Sequence, residues 1–325
     1  MSRTDNFGCP LARLAVSALL AALLFVGRSD AQSAAAPAVE PASYRSDAPA
    51  PAAARQSVRF ARREPQVGDQ LEQNLSVTLQ LDTMVRQNRA VLERSKSELS
   101  RRQRRIVTTT HVNQGMTIAV LVRYAEAAKE IASGSAEGKL GEAKLAAQPV
   151  QGKAYRVRRD GESLLITDEQ GVVPPLDEYE IVALNMETLG RPNPLADFLA
   201  GQTLTVGQRI ALPNAVAEKL MGLGGEMGDV TQFELKLQSV TMINDATCAV
   251  FQANIEAASN DSSQMRLVVD GPLAIEVDTC RAVEANFTGP IGMSETRGSL
   301  SATYQMTGTG KMAVRIASKY SDLAR

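Results

Sequence analysis

The chain has no tryptophan, one histidine, three cysteines and only 4% aromatic residues among its 325. Each scarcity excludes a class of function. Without tryptophan, and with few other rings, there is little material for the stacking platforms that hold single-stranded nucleic acid. A lone His111 cannot build a multi-histidine metal centre, and it is expected to be a structural or surface residue. The formal net charge is −1, so the field of the whole chain draws in neither polyanions nor anionic membranes. There is no G-x-S-x-G, H-E-x-x-H, P-loop or C-x-x-C in the sequence. No catalytic residues, cofactor or metal are therefore expected, nor is a specific nucleic-acid partner.

What is present begins with an N-terminus that reads as an address. Arg3 and Arg13 precede LAVSALLAALLFVG (14–27), an apolar run of 14 residues. Ser29 and Ala31 are small residues at the −3 and −1 positions of a cleavage site. The run is short for a membrane-spanning helix, which needs about 20 residues. The expectation is a signal peptide over 1–31, cleaved or kept as an anchor, with no transmembrane helix in the mature chain. Residues 32–66 begin with QSAAAPAVEPASYRSDAPAPAAARQ, and their Ala, Pro and Ser cannot bury a core, so they are expected to be a disordered linker. The remainder divides into a first β-rich half, 67–205, and a second, 206–325.

Period-two patterning dominates both halves. Leu75, Val77, Leu79 and Leu81 share one face of a strand. RRIVTTTHV (104–112), Asn113-Gln114-Gly115 and MTIAVLVRYAEA (116–127) read as one hairpin, and AYRVRR–DG–ESLLITD (154–168) as a second. In the second half, TQFELKLQSVTM (231–242) and TCAVFQANIEA (247–257) flank Asn244-Asp245. SATYQMTG (301–308) and KMAVRIAS (311–318) flank Thr309-Gly310 and are expected to form a last hairpin. Short helices are expected near 194–200 and over 215–222, the latter capped by Asn214. TIAVLVRYAEA and TCAVFQANIEA match at five of eleven positions, and VGDQL (67–71) echoes VGQRI (206–210). The fold class is mainly β: a long antiparallel meander making a curved sheet or half-barrel in two similar halves, with one or two short helices.

GKAYRVRRDGESLLITDEQG (152–171), PNPLADFLAGQTLTVGQRIALP (192–213) and GPLAIEVDTCRAVEANFTGP (271–290) together resemble a family of uncharacterised secreted bacterial β-rich proteins. The resemblance covers about residues 65–320 through loose motifs. It implies a curved antiparallel sheet similar to the half-barrels of lipoprotein carriers. It brings no established activity and no catalytic residues. The sequence departs from the pattern at Cys280, where the family has glycine, which puts a tight glycine turn there in question.

Cys280 lies in VVDGPLAIEVDTCRAVEANF (268–287), and its surroundings resolve by parity. Met265, Leu267, Val269, Leu273, Ile275 and Val277 keep one phase across Asp270-Gly271-Pro272. A hairpin there would mix the two faces. One long strand kinked at Gly271-Pro272 keeps them apart, and the reversal moves to Thr279-Cys280-Arg281, pairing Val277 with Val283. In an oxidising compartment Cys248 and Cys280 are candidates for a disulfide. Register opposes it: with a preceding turn near residue 261, Cys280 overhangs Cys248 by six residues, roughly 20 Å, whereas a bridge needs Cα atoms within about 7 Å.

RQNRAVLERSKSELSRRQRR (86–105) carries eight Lys or Arg against two Glu. It is expected to be a solvated excursion between strands, or a helix, and Arg94, Lys96, Arg101, Arg102, Arg104 and Arg105 are its candidate contact surface. Three functions follow. The first is an exported non-enzymatic β-rich binding module of the periplasm or cell envelope, with an apolar ligand or an envelope protein as partner. The second is an envelope interaction protein working through 86–105. The third is a hydrolase using carboxylates around Asp177, Glu178 and Glu180, for which the aromatic platforms of sugar sites are missing.

Overall fold

The computed structural model describes residues 56–88, 90–135, 140–221, 229–259, 263–299 and 302–322. The expected signal peptide and most of the linker lie outside the described residues. The elements in chain order are β1 (Ser57–Arg59), β2 (Gln70–Gln87), β3 (Ala90–Asn113), β4 (Met116–Ser135), β5 (Lys144–Ala147), β6 (Ala154–Asp160), β7 (Ser163–Asp168), α1 (Leu176–Asn185), α2 (Pro194–Leu199), β8 (Thr203–Thr205), β9 (Arg209–Ala211), α3 (Asn214–Met221), β10 (Asp229–Ile243), β11 (Ala246–Ala258), β12 (Ser263–Glu276), β13 (Ala282–Ser299) and β14 (Ala302–Ser321). Twelve strands form one open antiparallel sheet in the order β7-β6-β4-β3-β2-β14-β13-β12-β11-β10-β9, with β5 beside β4. The expected all-antiparallel meander is thus the fold. The two halves share the sheet, because β2 pairs with β14 along its whole length.

Alternation gives the sheet one apolar face. Leu71, Leu75, Val77, Leu79 and Leu81 of β2 are buried, as are Met312, Val314 and Ile316 of β14. Two clusters cover this face. The larger joins β2 and β10–β14 to α2, α3 and Phe60; the smaller joins β3, β4, β6 and β7 to Val182 of α1 and to Met186 and Leu189 just after it. Leu79 on β2 and Leu235 on β10 belong to the same cluster although four strands separate them. Helices α2 and α3 pack on this face as members of the same cluster, and the curved sheet wraps its apolar, concave face about them.

Glycines mark the bend. Gly271 on β12 has φ 154, and a Cβ there would lie 1.9 Å from the Asn286 carbonyl oxygen. Cβ atoms on Gly289 and Gly310 would lie 1.9 and 1.8 Å from Val268 and Gln80 carbonyl oxygens of neighbouring strands. Only a residue without a side chain lets the backbones approach so closely. As parity required, Asp270-Gly271-Pro272 is a kink within one strand.

Several expectations are corrected. Thr309-Gly310 is no hairpin turn but the middle of β14. Met306, Gly308, Gly310, Met312 and Val314 keep one phase, so the parity rule that holds at Gly271 applies here too. Segment 86–105 is neither excursion nor helix: Ala90–Arg105 is the first part of β3, paired with β2 and, from Ser95 onward, with β4 as well. Two neighbouring strands supply backbone partners that override its low β propensity. Val277 does not pair with Val283. The ladder ends at Ile275–Ala282 beside a bulge, with Leu273 opposite Ala285, and the Val277 amide donates to Thr247 instead. Cys280 does make the tight turn without a glycine, at φ 55, its amide donating to the Glu276 carbonyl at 2.9 Å. That conformation costs an L-residue roughly 1–2 kcal/mol. Helix α1 was not foreseen, although Tyr179, Val182 and Met186 recur at helical spacing behind Pro175. The other short helices are where expected, α2 being capped by Asn193, whose side chain accepts from the Leu195 and Ala196 amides.

Candidate functional site

On the concave face β3 presents Leu99, Arg101, Gln103, Arg105 and Val107 in succession. Their register partners on β2 are Leu79, Val77, Leu75, Gln73 and Leu71. A polar belt therefore crosses an apolar face and divides the two clusters. Arg105 is 1% exposed. Its Nε and Nη2 both donate to Gln73 Oε1, at 2.9 and 2.6 Å, and its Nη1 to the Asn185 carbonyl at 3.4 Å. Gln73 donates onward to Ser318. Asn185, at the end of α1, donates to Tyr124 Oη at 3.0 Å and to Gln103, which donates to Gln148 at 2.7 Å. The belt thus ties α1 to the sheet through neutral oxygens. Burial pushes the Tyr124 phenol up, Arg105 opposing it, and the same burial pulls the Arg105 guanidinium down.

Arg101 is the unresolved member. It is 9% exposed, and neither its Nε nor its Nη2 has a hydrogen-bond partner among the described residues. Burial pulls its pKa down to about 10, Tyr124 opposing the shift and Arg105 adding to it. It remains charged at neutral pH. A buried guanidinium without a counter-charge costs several kcal/mol, so this position calls for an explanation.

The strand period divides the six basic residues singled out from the sequence. Arg101 and Arg105 face the core, while Arg94, Arg102 and Arg104 are exposed and Lys96 is half-buried. Arg104 pairs with Glu72 at 2.7 Å. Arg94 and Lys96 line a cavity of about 340 Å³ with Asp82, Met84, Thr307 and Thr309. Segment 86–105 thus offers two surfaces on opposite faces. Gln73, Gln103, Tyr124 and Asn185 escaped the sequence reading. A signal for Gln73 was there: it interrupts the apolar series Leu71–Leu81 on β2, as Ser318 interrupts that of β14.

Cys248 and Cys280, the cysteines among the described residues, are buried and free. Cys280 belongs to the large concave cluster, and Cys248 to a small one with Ala274 and Val283. Cys248 stands opposite Glu276, and Cys280 donates from Sγ to the Ala61 carbonyl at 3.0 Å. The structure does not bring the two thiols together. Burial pushes both up to about 11.

Asp177 and Glu180 are exposed, and Glu178 alone turns inward, accepting from Tyr155 Oη at 2.5 Å and Lys153 Nζ at 2.6 Å. Burial alone would raise the Glu178 carboxyl, but these two donors hold it below its usual range. The arrangement anchors the first turn of α1 on β6. His111 is exposed beside two bulges of β3. Among the described residues no group of three or more His, Cys, Asp or Glu is placed to hold a metal, and no helix is long and apolar enough to cross a membrane.

No protein-family model matches the chain, and no curated protein matches it. Among solved structures it is similar to lipovitellin, from a study of lipid–protein interactions, at 9% identity and a TM-score of 0.36. That match covers 80% of this chain but only 26% of lipovitellin, so the chain spans about a quarter of that protein. A secretin-domain β-barrel of InvG from Salmonella matches at 6% identity and a TM-score of 0.16, covering 78% of this chain and 64% of that one. The toluene transporter TodX of P. putida matches at 7% and 0.14, covering 78% and 90%.

Proposed function

We propose that the chain is an exported, non-enzymatic binding module of the periplasm or cell envelope that takes an apolar ligand on the concave face of its sheet. One observation carries this reading: the apolar lining of that face continues past the helices. Leu99, Met265 and Met293 pack half-buried at the rim of the large cluster. Ile131, directly opposite Leu99 on β4, is 43% exposed. Curved open sheets that expose one apolar face are suited to ligands that cannot stay in water. The signal-peptide pattern at 1–31 and the resemblance to secreted β-rich proteins support the location.

The test is mass spectrometry on protein purified from its native cells. The reading expects a chain beginning after Ala31 and a hydrophobic small molecule released on denaturation. A full-length chain in the cytosolic fraction, carrying nothing, would overturn it.

A second reading, an interaction surface for an anionic partner, draws on the cavity beside Arg94 and Lys96. Replacing both with Ser would then abolish capture of that partner.

A further inference from the structure

The unpartnered nitrogens of Arg101 have a geometry of their own. Nε and Nη2 lie along one edge of the guanidinium and donate in parallel, as the same two atoms of Arg105 do toward Gln73. Such an edge matches two coplanar oxygens of one carboxylate. Arg105 already has its acceptors, whereas Arg101 has none on this edge among the described residues, and the titratable groups acting on it are Tyr124 and Arg105, not a carboxylate. Two positions along β3, on the same face, lies Leu99, with Ile131 opposite it. A buried cationic edge therefore adjoins an apolar surface that is still partly open.

We infer that Arg101 receives the carboxylate of a long-chain acid, whose tail lies along Leu99 and Ile131 at the rim of the concave face. The inference rests on the binding-module reading and names the class of its ligand. A small hydrated anion fits less well. It would lose its water to a site walled by Val77 and Leu99 and gain nothing from the apolar surface, whereas a long chain offsets that cost at roughly 25 cal/mol per Å² buried. The head group supplies the counter-charge that Arg101 lacks, two charge-assisted hydrogen bonds being stronger than their neutral equivalents.

The probe is cis-parinaric acid, whose fluorescence rises in apolar surroundings, titrated beside its methyl ester into the full chain. The ester keeps the tail and removes the charge. Wild type is expected to bind the acid about tenfold or more tighter than the ester, the size of one charge-assisted contact. Arg101→Gln is expected to remove that difference and leave ester binding in place, while Arg102→Gln, on the outer face, changes neither. Equal binding of acid and ester by wild type overturns the role of Arg101 and leaves the module standing. Binding of neither by a folded chain overturns both. Displacement of the acid by acetate or inorganic phosphate at equal concentration would mean a bare anion site and sink the amphiphile. Comparing acid with ester on wild type needs no variant, so the result stands even where Arg101→Gln fails to fold.

Discussion

Arg105 stands directly opposite Gln73 in the β2–β3 ladder, and two of its nitrogens share the single oxygen Gln73 Oε1. A fully buried cation thus depends on a neutral amide. Gln73→Leu would leave that edge of the guanidinium unpaired, costing about 3 kcal/mol or more. Adding Arg105→Met should recover most of the loss, because an apolar pair of similar volume needs no partners. Urea unfolding of the two single variants and the double variant measures the coupling.

Gly310 tests the bend. With 1.8 Å between a built Cβ and the Gln80 carbonyl oxygen, Gly310→Ala must push β14 away from β2. The expected loss is about 3 kcal/mol, in the upper range for overpacking. Gly292, also on the sheet, has nothing within 4 Å of its built Cβ, and Gly292→Ala should change stability far less. Thermal unfolding of the two variants side by side decides the matter.

The thiols should be slow to react in the folded state. With Cys248 and Cys280 both pushed up to about 11 by burial, almost no thiolate exists at pH 8. In a Cys9→Ser chain under reducing conditions, a thiol reagent should label neither residue at pH 8, and label both once urea unfolds the chain. Rapid labelling of the native chain would contradict the burial.

Acid should loosen the junction where Arg63 and Asp322 meet Arg281 of the β12–β13 loop. Asp322 accepts from Arg281 at 2.8 Å and pairs with Arg63, while Arg281 lies over the Tyr320 ring at 4.8 Å. Burial alone would raise the Asp322 carboxyl, but the two arginines hold it below its usual range. The unfolded chain therefore takes up the proton first. The stabilisation is present above about pH 4, the usual aspartate range, and is lost as pH falls through the lower folded value. Asp322→Asn should be less stable than wild type at pH 7, and the gap should close toward pH 3 in a series of urea titrations.

The sequence alone determined the strand content, most hairpins and the kink at Gly271, because each rests on local chemistry: period-two burial, turn residues and phase. It was misled where a turn-like dipeptide lay inside an unbroken phase, at Thr309-Gly310. It was misled again where composition spoke for solvent, at 86–105. There β3 is a strand because β2 and β4 flank it, and no local signal encodes that pairing. The belt was less legible still. Gln73, Arg105, Ser318, Tyr124 and Asn185 are up to 245 positions apart, and only the closing pair β2–β14 and the docking of α1 set them on one face. Sequence could name Arg101 as basic. The tertiary structure alone decided that it points into the core with two nitrogens unmatched among the described residues, because side-chain direction follows from register and the lack of a counter-charge there follows from packing.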